Sequence, residues 1–256
     1  MGDKKIFYIV GTAVLALIII LFLIIFINPW KSETTSPLFE QYLREAKEIK
    51  SLQAEYASTF TIIVDSNTTF IQIKGTTYKK DKNKREDLEM TTSDGKTFLF
   101  RSYLLGGKLF ACPNLTGSCK ETETLISLSE ENIIKTIEGI YQKKAIVFTE
   151  GKDKIVGGNS CKELSMIFDI SKLSQKEKYF LLVSSGLANP PQPEKYAESI
   201  NSFSVSSCLA GGMDLEGESV LNVGKEKKAI FQNHAVIKSY QLNLELSDSL
   251  FFPKFN

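Results

Sequence analysis

Four cysteines are the residues of this 256-residue chain whose chemistry is easiest to place, and they are spaced as two pairs. Cys112 and Cys119 enclose six residues that include a proline and a glycine. A local disulfide would therefore close a turn-forming loop at low entropic cost. Four cysteines allow three pairings, and the local bridge leaves Cys161 to pair with Cys208.

The second pair is supported independently by the strands that carry it. Each cysteine lies on the face of its strand opposite to the apolar side chains. These apolar side chains are Leu164, Met166, Phe168 and Ile170 in one strand and Phe203, Val205 and Leu209 in the other. A four-thiolate zinc site is the rival interpretation, but structural zinc sites use close C-x₂₋₄-C pairs. We therefore predict two disulfides and an oxidising compartment.

Residues that could carry catalysis are few. His234 is the only histidine, which excludes multi-histidine metal sites. The chain lacks the motifs G-x-S-x-G and H-E-x-x-H, and where a phosphate loop would need a glycine before Gly95, Met90 is found. We expect no catalytic residues, no metal and no cofactor. The formal net charge of +1 shows no basic excess, so nucleic acid is not an expected partner.

The segment from Thr97 to Leu105 is the strongest indication of a ligand site. Phe98, Leu99 and Phe100 place apolar groups on both faces of this strand, whereas a half-exposed strand would alternate. Either protein covers both faces, or one face lines an apolar cavity. On the second interpretation the cavity-lining candidates are Phe98, Phe100, Tyr103, Leu164, Met166 and Phe168.

A run of charges from Lys79 to Glu89 reads KKDKNKREDLE. It could bind anionic lipid headgroups, but its cations are interleaved with acids at a predicted turn. We therefore interpret it as a solvated hairpin tip. Two N-x-S/T sequons make Asn67 and Asn114 candidate glycosylation acceptors.

Residues 6–27 carry no charge and are almost entirely apolar. As a helix they span roughly 33 Å, enough to cross a ~30 Å hydrocarbon core. A cleaved signal peptide is the rival, but its apolar region is shorter and ends in small residues, whereas Asn28-Pro29 follows here. We predict a retained transmembrane anchor that contacts the lipid bilayer.

This anchor divides the chain into three parts. They are a cytoplasmic tip with the anchor at 1–30, a polar linker at 31–36 and one β-rich domain at 37–256. Lys4 and Lys5 favour a cytoplasmic N-terminus, and the cysteines favour an oxidising environment for the domain. We predict a single-pass protein of the cell membrane whose domain lies outside the cytoplasm.

Hydrophobic periodicity predicts an α+β domain. Ser36-Pro37 is a typical helix start, and apolar residues follow at helical spacing. Tight turns such as 93–96 separate the strands that come next. We predict a curved antiparallel sheet, an unclosed barrel of roughly nine or ten strands, with helices packed on one side. The finer predictions are helices over 129–143 and 173–187, one strand over 154–170, and separate strands over 228–232 and 236–246.

The order of these elements resembles the periplasmic LolA-like lipoprotein carriers and related mycobacterial lipid-binding lipoproteins. At residues 50–54 the chain passes from a first predicted helix into a long predicted strand. Lys84-Arg85 begins the third strand, and 92–98 form the next hairpin. The resemblance covers about residues 38–112, and 150–246 only by element order. It implies an unclosed β-barrel with helices in its mouth and an apolar lipid cavity. The tether and the four cysteines depart from the carriers, and no family ligand-binding residue matches a position here.

Two functions are consistent with these features. The first is a membrane-anchored, extracytoplasmic, non-enzymatic domain that binds an apolar ligand, such as a lipid or lipoprotein. The alternative is a structural or assembly protein of the cell envelope that acts through protein partners.

Overall fold

The computed structural model describes residues 36–64, 67–106, 108–121, 136, 139–184, 197–224 and 229–253. The predicted anchor at 6–27 lies outside the described residues, as does most of the helix predicted over 129–143. Among the residues that are described, no helix is both long enough and apolar enough to span a bilayer.

The described strands form one antiparallel sheet in the order β6-β5-β4-β3-β2-β1-β11-β10-β9-β8-β7. They are β1 (Ser51–Val64), β2 (Asn67–Lys80), β3 (Asn83–Thr92), β4 (Thr97–Leu105), β5 (Lys108–Cys112), β6 (Lys120–Glu121), β7 (Ile146–Val156), β8 (Asn159–Phe168), β9 (Ile200–Ala210), β10 (Met213–Val223) and β11 (Ala229–Leu242). Two meanders, β1–β6 and β7–β11, meet where β1 pairs with β11. The prediction of a large, unclosed antiparallel sheet is confirmed, with eleven strands in the described part of the chain.

The strand predicted over 154–170 is wrong, because a hairpin divides it. Gly157 and Gly158 have φ angles of +56° and +83° and turn the chain between β7 and β8. Glycine adopts this left-handed conformation without the steric cost of a Cβ atom. Ile155 therefore pairs with Ser160 across the turn instead of preceding it in one strand.

The two strands predicted near the C-terminus are a single strand, β11. Its buried Asn233 accepts a hydrogen bond from Ser58 on β1, at 2.6 Å, so a polar residue continues the strand where a break was expected. The register with β1 then shifts between Ile237 and Ser239. This bulge at Lys238 shifts the alternation by one residue, so Ile237 is buried and Lys238 exposed, whereas the predicted alternation holds from Tyr240 to Leu246.

Two α-helices whose full length lies within the described residues pack on the sheet. Helix α1 (Pro37–Glu48) begins at the predicted N-cap, where Ser36 Oγ accepts a hydrogen bond from the Phe39 amide. Helix α2 (Gln175–Ser184) starts two residues later than predicted, because a 3₁₀ turn at Ile170–Lys172 precedes it. Ser174 and Glu177 then form a capping box, with the Ser174 amide donating to Glu177 Oε2 at 2.6 Å.

The largest apolar cluster lies between the sheet and α2. We call the sheet face that carries Phe60, Ile73, Met90 and Leu221 the inner face, and the opposite face the outer face. α2 contributes the buried side chains of Phe180, Leu181 and Leu182 to the same cluster. Side chains alternate between the two faces along each strand, so the position of a residue in its strand determines whether its side chain lies on the inner face.

Candidate ligand site on the inner face

Cross-strand register arranges the inner face in rows. Ile73, Met90 and Phe98 lie opposite one another on β2, β3 and β4. In the second meander, Phe203, Leu221 and Phe231 form an equivalent row on β9, β10 and β11. Directly opposed side chains on one face touch. The two meanders thus present a continuous apolar surface across the sheet.

A rim of partly exposed apolar side chains surrounds this surface and packs against it. These residues are Ile62, Phe100, Ile146, Phe168, Ile170, Tyr179, Val205 and Ala229. Phe168 packs on Phe203 with ring centroids 4.9 Å apart. The rim residues keep part of their surface in solvent, so the apolar interior reaches the molecular surface at these positions.

Helix α2 is held over the inner face by a polar anchor at its N-terminus. Glu177 Oε2 accepts hydrogen bonds from Lys143 Nζ at 2.7 Å and from Ser174 Oγ at 2.7 Å. Burial raises the pKa of Glu177, but the hydrogen bonds from Lys143 and Ser174 outweigh it and the net pKa is lowered. The carboxylate is therefore charged at neutral pH and fixes the start of α2 to residue 143.

The predicted cavity residues separate into several environments. Phe98 and Phe100 neighbour each other on the inner face, with ring centroids 6.3 Å apart. Phe100 and Phe168 border the main cluster from opposite meanders. Met166 is partly exposed and lies opposite Val205, a rim residue.

The other two candidates lie elsewhere. Leu164 is buried beneath α1 with Tyr42 and Leu209, in a cluster of its own. Tyr103 packs with the Cys112–Cys119 disulfide. Tyr103 lies five positions after Phe98 and three after Phe100 on β4, and both intervals are odd, so its side chain points to the outer face. On that face Leu99 is 44% exposed, so protein covers the strand only in part.

The charge run is more than a solvated hairpin tip, and that interpretation was wrong for three of its residues. Lys79, Lys84 and Glu86 are buried, and Glu86 is only 1% exposed. Lys84 and Glu86 share their strand face with Leu88 and Met90, which are core residues. This two-residue period was visible in the sequence and is the signal that could have identified them.

These residues form a buried polar row below the apolar rows. Thr77 lies opposite Glu86, and Lys84 Nζ lies 2.6 Å from Glu86 Oε1. The Tyr56 ring reaches toward them across Gly75, where a Cβ atom would come within 2.7 Å of the ring. Burial, and then the negative charge of Glu86, raises the pKa of the Tyr56 phenol.

A second buried polar group lies on the other side of Tyr56. Asp214 Oδ2 accepts a hydrogen bond from Ser207 Oγ at 2.9 Å, and Oδ1 accepts one from the Cys208 amide at 3.2 Å. Asp214, Ser219, Asn233 and Tyr56 border a cavity of about 30 Å³. This volume is enough for about two water molecules.

Both predicted disulfides are present. Cys112 bonds to Cys119, and Cys161 bonds to Cys208 with a Cα–Cα distance of 5.3 Å. His234 is exposed, and its Nε2 lies 2.9 Å from Glu216 Oε1. Within the described residues, no group of three or more His, Cys, Asp or Glu side chains could hold a metal ion.

The two sequon asparagines differ in backbone setting. Asn67 is exposed at the start of β2. Asn114 is exposed in the disulfide-closed loop, and its Oδ1 accepts a hydrogen bond from the Thr116 amide at 3.0 Å. Their glycosylation stays a prediction.

Comparison with protein-family models and with curated proteins finds no match to this chain. Among solved structures, the chain is similar to one in the MucA/MucB complex of Pseudomonas aeruginosa. The identity is 11%, the TM-score is 0.35, and the match covers 83% of this chain and 59% of that one. The present chain thus spans less than two thirds of that protein's length.

A LolA superfamily protein from Nitrosomonas europaea is also similar, with 8% identity, a TM-score of 0.29, and coverage of 83% and 96% of the two chains. A β-barrel-like protein from Brucella abortus matches with 8% identity and a TM-score of 0.25 over 75% of this chain and 98% of that one. The predicted resemblance to LolA-like proteins thus has a counterpart among the similar structures. Identities this low concern the fold alone, and function must be argued from the site.

Proposed function

We propose that the domain binds an apolar ligand, such as a lipid acyl chain, on its inner face and performs no chemistry on it. The observation that carries this proposal is the continuity between the buried apolar rows and the partly exposed rim at Phe100 and Phe168. An apolar surface that reaches solvent at a rim is typical of ligand sites. A core that serves stability alone gains nothing from leaving its aromatic residues half exposed.

Helix α2 acts in this proposal as the cover that the ligand displaces. Its ten residues are too few for a helix to be stable by itself in water, so its order depends on packing against the inner face. Glu177, Lys143 and Ser174 fix only its N-terminal end. The Cys161–Cys208 bridge ties together β8 and β9, the strands on either side of the α2 segment. The cover can then move while its flanks stay in place.

The anchor and the location of the domain belong to the same proposal. Residues 6–27 would hold the protein in the cell membrane as a single-pass anchor, with the domain outside the cytoplasm. A domain held beside a bilayer would exchange lipid with it over a short distance. Protease added to intact cells is expected to remove the domain, and complete protection of an accessible surface would reverse this topology.

Ligand binding can be tested with two variants on one strand. Phe100→Ala removes a rim aromatic from the inner face, and Leu99→Ala removes an exposed apolar residue from the outer face. We expect Phe100→Ala to weaken binding of a fluorescent long-chain fatty acid analogue by about tenfold, since full burial of an aromatic contributes roughly 1.5–3 kcal/mol and the ligand would cover the exposed part of this ring. Leu99→Ala should bind as the wild type does. Equal affinities for all three proteins would contradict an inner-face site.

A specific observation also favours the alternative, a protein that acts through protein partners. β7 is the last strand of the described sheet, and its Val147 lies directly opposite Ile167. These side chains are 58% and 56% exposed. Exposed apolar pairs at a sheet edge favour pairing with another chain. Crosslinking in intact cells from position 167 would then capture one stoichiometric partner, and Val147→Lys would abolish the product.

A further inference from the structure

The buried polar row on β1–β3 has no role in an apolar binding site as described so far. Tyr56 OH, Thr77 Oγ1 and Glu86 Oε2 are buried, and none of them has a hydrogen-bond partner in the described part of the chain. More than nine in ten buried polar groups in native proteins have a partner. Three such atoms within one neighbourhood therefore indicate a group that the site is built to receive.

The three side chains converge because of the register of β1, β2 and β3. Thr77 and Glu86 are direct cross-strand partners, and Tyr56 lies opposite Gly75. The missing side chain at Gly75 lets the Tyr56 ring lie across β2, close to Leu88. The Tyr56 hydroxyl therefore lies close enough to Glu86 for the negative charge of that residue to raise the pKa of the phenol.

We propose that this row is the head-group site of the ligand, and that the ligand is a neutral amphiphile whose head carries hydroxyl groups, bound head-inward. The inference rests on the proposed function, since it assigns the head group of the apolar ligand proposed there. The tail would run along the inner-face rows toward Phe98 and Phe100 at the rim. Met90 lies four positions after Glu86 on β3, so about 13 Å of apolar surface separates their two rows.

The preference for a neutral head follows from the charges in the row. Glu86 is already paired with Lys84, so the pair carries no net charge for a ligand to neutralise. The pair therefore offers neither a carboxylate head nor an ammonium head an uncompensated opposite charge, and burying an uncompensated charge is costly. A hydroxyl can both donate and accept. It can donate to Glu86 Oε2 and accept from Tyr56 or Thr77.

Access to the row would require movement of α2. The cavity of about 30 Å³ that Tyr56 borders is lined by β9, β10 and β11, and neither Thr77 nor Glu86 lines it. Phe180 and Leu181 of α2 pack in the same apolar cluster as Tyr56 and Leu88, next to the row. The head would enter when α2 is displaced.

The test uses the full-length protein in phosphatidylcholine nanodiscs. It compares three water-soluble amphiphiles that have the same short hydrocarbon chain and differ in their head groups. A monoacylglycerol, a fatty acid and an alkylamine each compete with the fluorescent fatty acid analogue. We expect the monoacylglycerol to compete best. Tyr56→Phe and Thr77→Val remove one hydroxyl each. Each should weaken the binding of the monoacylglycerol by about tenfold and leave the affinities for the fatty acid and the alkylamine unchanged.

Tyr103→Phe is the matched control, because Tyr103 is a buried tyrosine on the outer face whose hydroxyl is bonded to Arg101. It should leave all three affinities unchanged and lower the midpoint of thermal unfolding. Tyr56→Phe should leave the midpoint of the ligand-free protein unchanged or raise it, because the lost hydroxyl had no partner. This readout separates a head-group contact from a structural one.

The outcomes divide cleanly. A preference for the fatty acid or the alkylamine overturns the head-group assignment, and so do equal affinities that Tyr56→Phe and Thr77→Val do not change. A lower unfolding midpoint for ligand-free Tyr56→Phe also overturns it, since the hydroxyl would then already be satisfied. In each of these cases binding that still depends on Phe100 leaves the proposed function standing. Failure of the fluorescent analogue itself to bind would remove the proposed function.

Discussion

Asp214 shows how a single residue is governed by its surroundings. It is buried where β9 pairs with β10, beneath Tyr42 of α1. Burial raises the pKa of its carboxyl to about 7, although hydrogen bonds from Ser207 and Cys208 lower it in part. The negative charge of Glu216 raises it slightly further. The folded protein therefore favours the protonated acid, while the unfolded chain titrates near the ordinary value of about 3.9.

This raised pKa makes the free energy of unfolding depend on pH. Because the folded state binds the proton more tightly, the contribution of Asp214 to stability is full below about pH 4 and is lost as pH rises to about 7. The loss amounts to up to about 4 kcal/mol. Asp214→Asn should remove this slope in urea unfolding measured from pH 4 to 8, and should exceed the wild type in stability at pH 8.

Glu216→Gln is the control for that experiment. Glu216 is only half-buried, and its charge is the smallest influence on the pKa of Asp214. The slope between about pH 4 and 7 should persist in this variant. If Asp214→Asn retained the slope of the wild type, Asp214 would not be its source.

At the scale of elements, the contact between α1 and the β9–β10 hairpin depends on two adjacent glycines. Gly211 and Gly212 have φ angles of +54° and +73°. Gly212 donates its amide hydrogen to Glu45 Oε2 at 3.0 Å. A Cβ atom at Gly212 would lie 2.5 Å from the Ala46 backbone nitrogen, whereas one at Gly211 would meet nothing within 4 Å. The helix can approach this turn only because residue 212 lacks a side chain.

Substitution by alanine is expected to lower the free energy of unfolding by different amounts at the two glycines. Gly211→Ala incurs only the left-handed backbone cost, about 1–2 kcal/mol. Gly212→Ala adds a clash with helix backbone that no side-chain rotation relieves, so we expect a loss of about 3 kcal/mol or more in the free energy of unfolding. Urea titration of both variants measures the difference, and equal losses would refute the close packing of α1 on this turn.

At the scale of the whole molecule, each disulfide lies within one meander. Cys112–Cys119 closes a loop beside β5, and Cys161–Cys208 links β8 to β9. The two meanders are joined by the β1–β11 pairing and by the shared apolar cluster. The bridges therefore stabilise the halves separately, and the longer one also bounds the segment that carries α2.

The chain-entropy model ranks the two bridges. The loop between Cys161 and Cys208 is far longer than the loop between Cys112 and Cys119, with sequence separations of 47 and 7. The expected contributions are about 4 and about 2.5 kcal/mol respectively. Paired alanine variants, Cys161→Ala with Cys208→Ala and Cys112→Ala with Cys119→Ala, should show this order in urea unfolding. The reverse order would mean that strain or residual structure, not loop length, determines their effect.

Local rules account for the features that were predicted correctly. The start of α1 follows from Ser36-Pro37, since a cap acts within one turn of the chain. The pairing of Cys161 with Cys208 follows from strand alternation, because parity determines which side chains share a face. Parity also places Tyr103 on the outer face, away from Phe98 and Phe100, although the sequence interpretation grouped all three by their apolar character.

The tertiary structure alone decided which of these faces is covered and by what. The pairing of β1 with β11 joins residues up to 190 positions apart, such as Leu52 and Leu242, and no local pattern encodes it. Lys84 and Glu86, which a charge run alone indicated to be solvated, are buried in the folded structure. The sequence by itself determined most of the strands, which side chains share a face, and the disulfides, because these depend on neighbours along the chain. Burial depends on segments distant in sequence, so strand parity could place Lys84 and Glu86 on the face of Leu88 and Met90, but only the folded structure shows that they are buried.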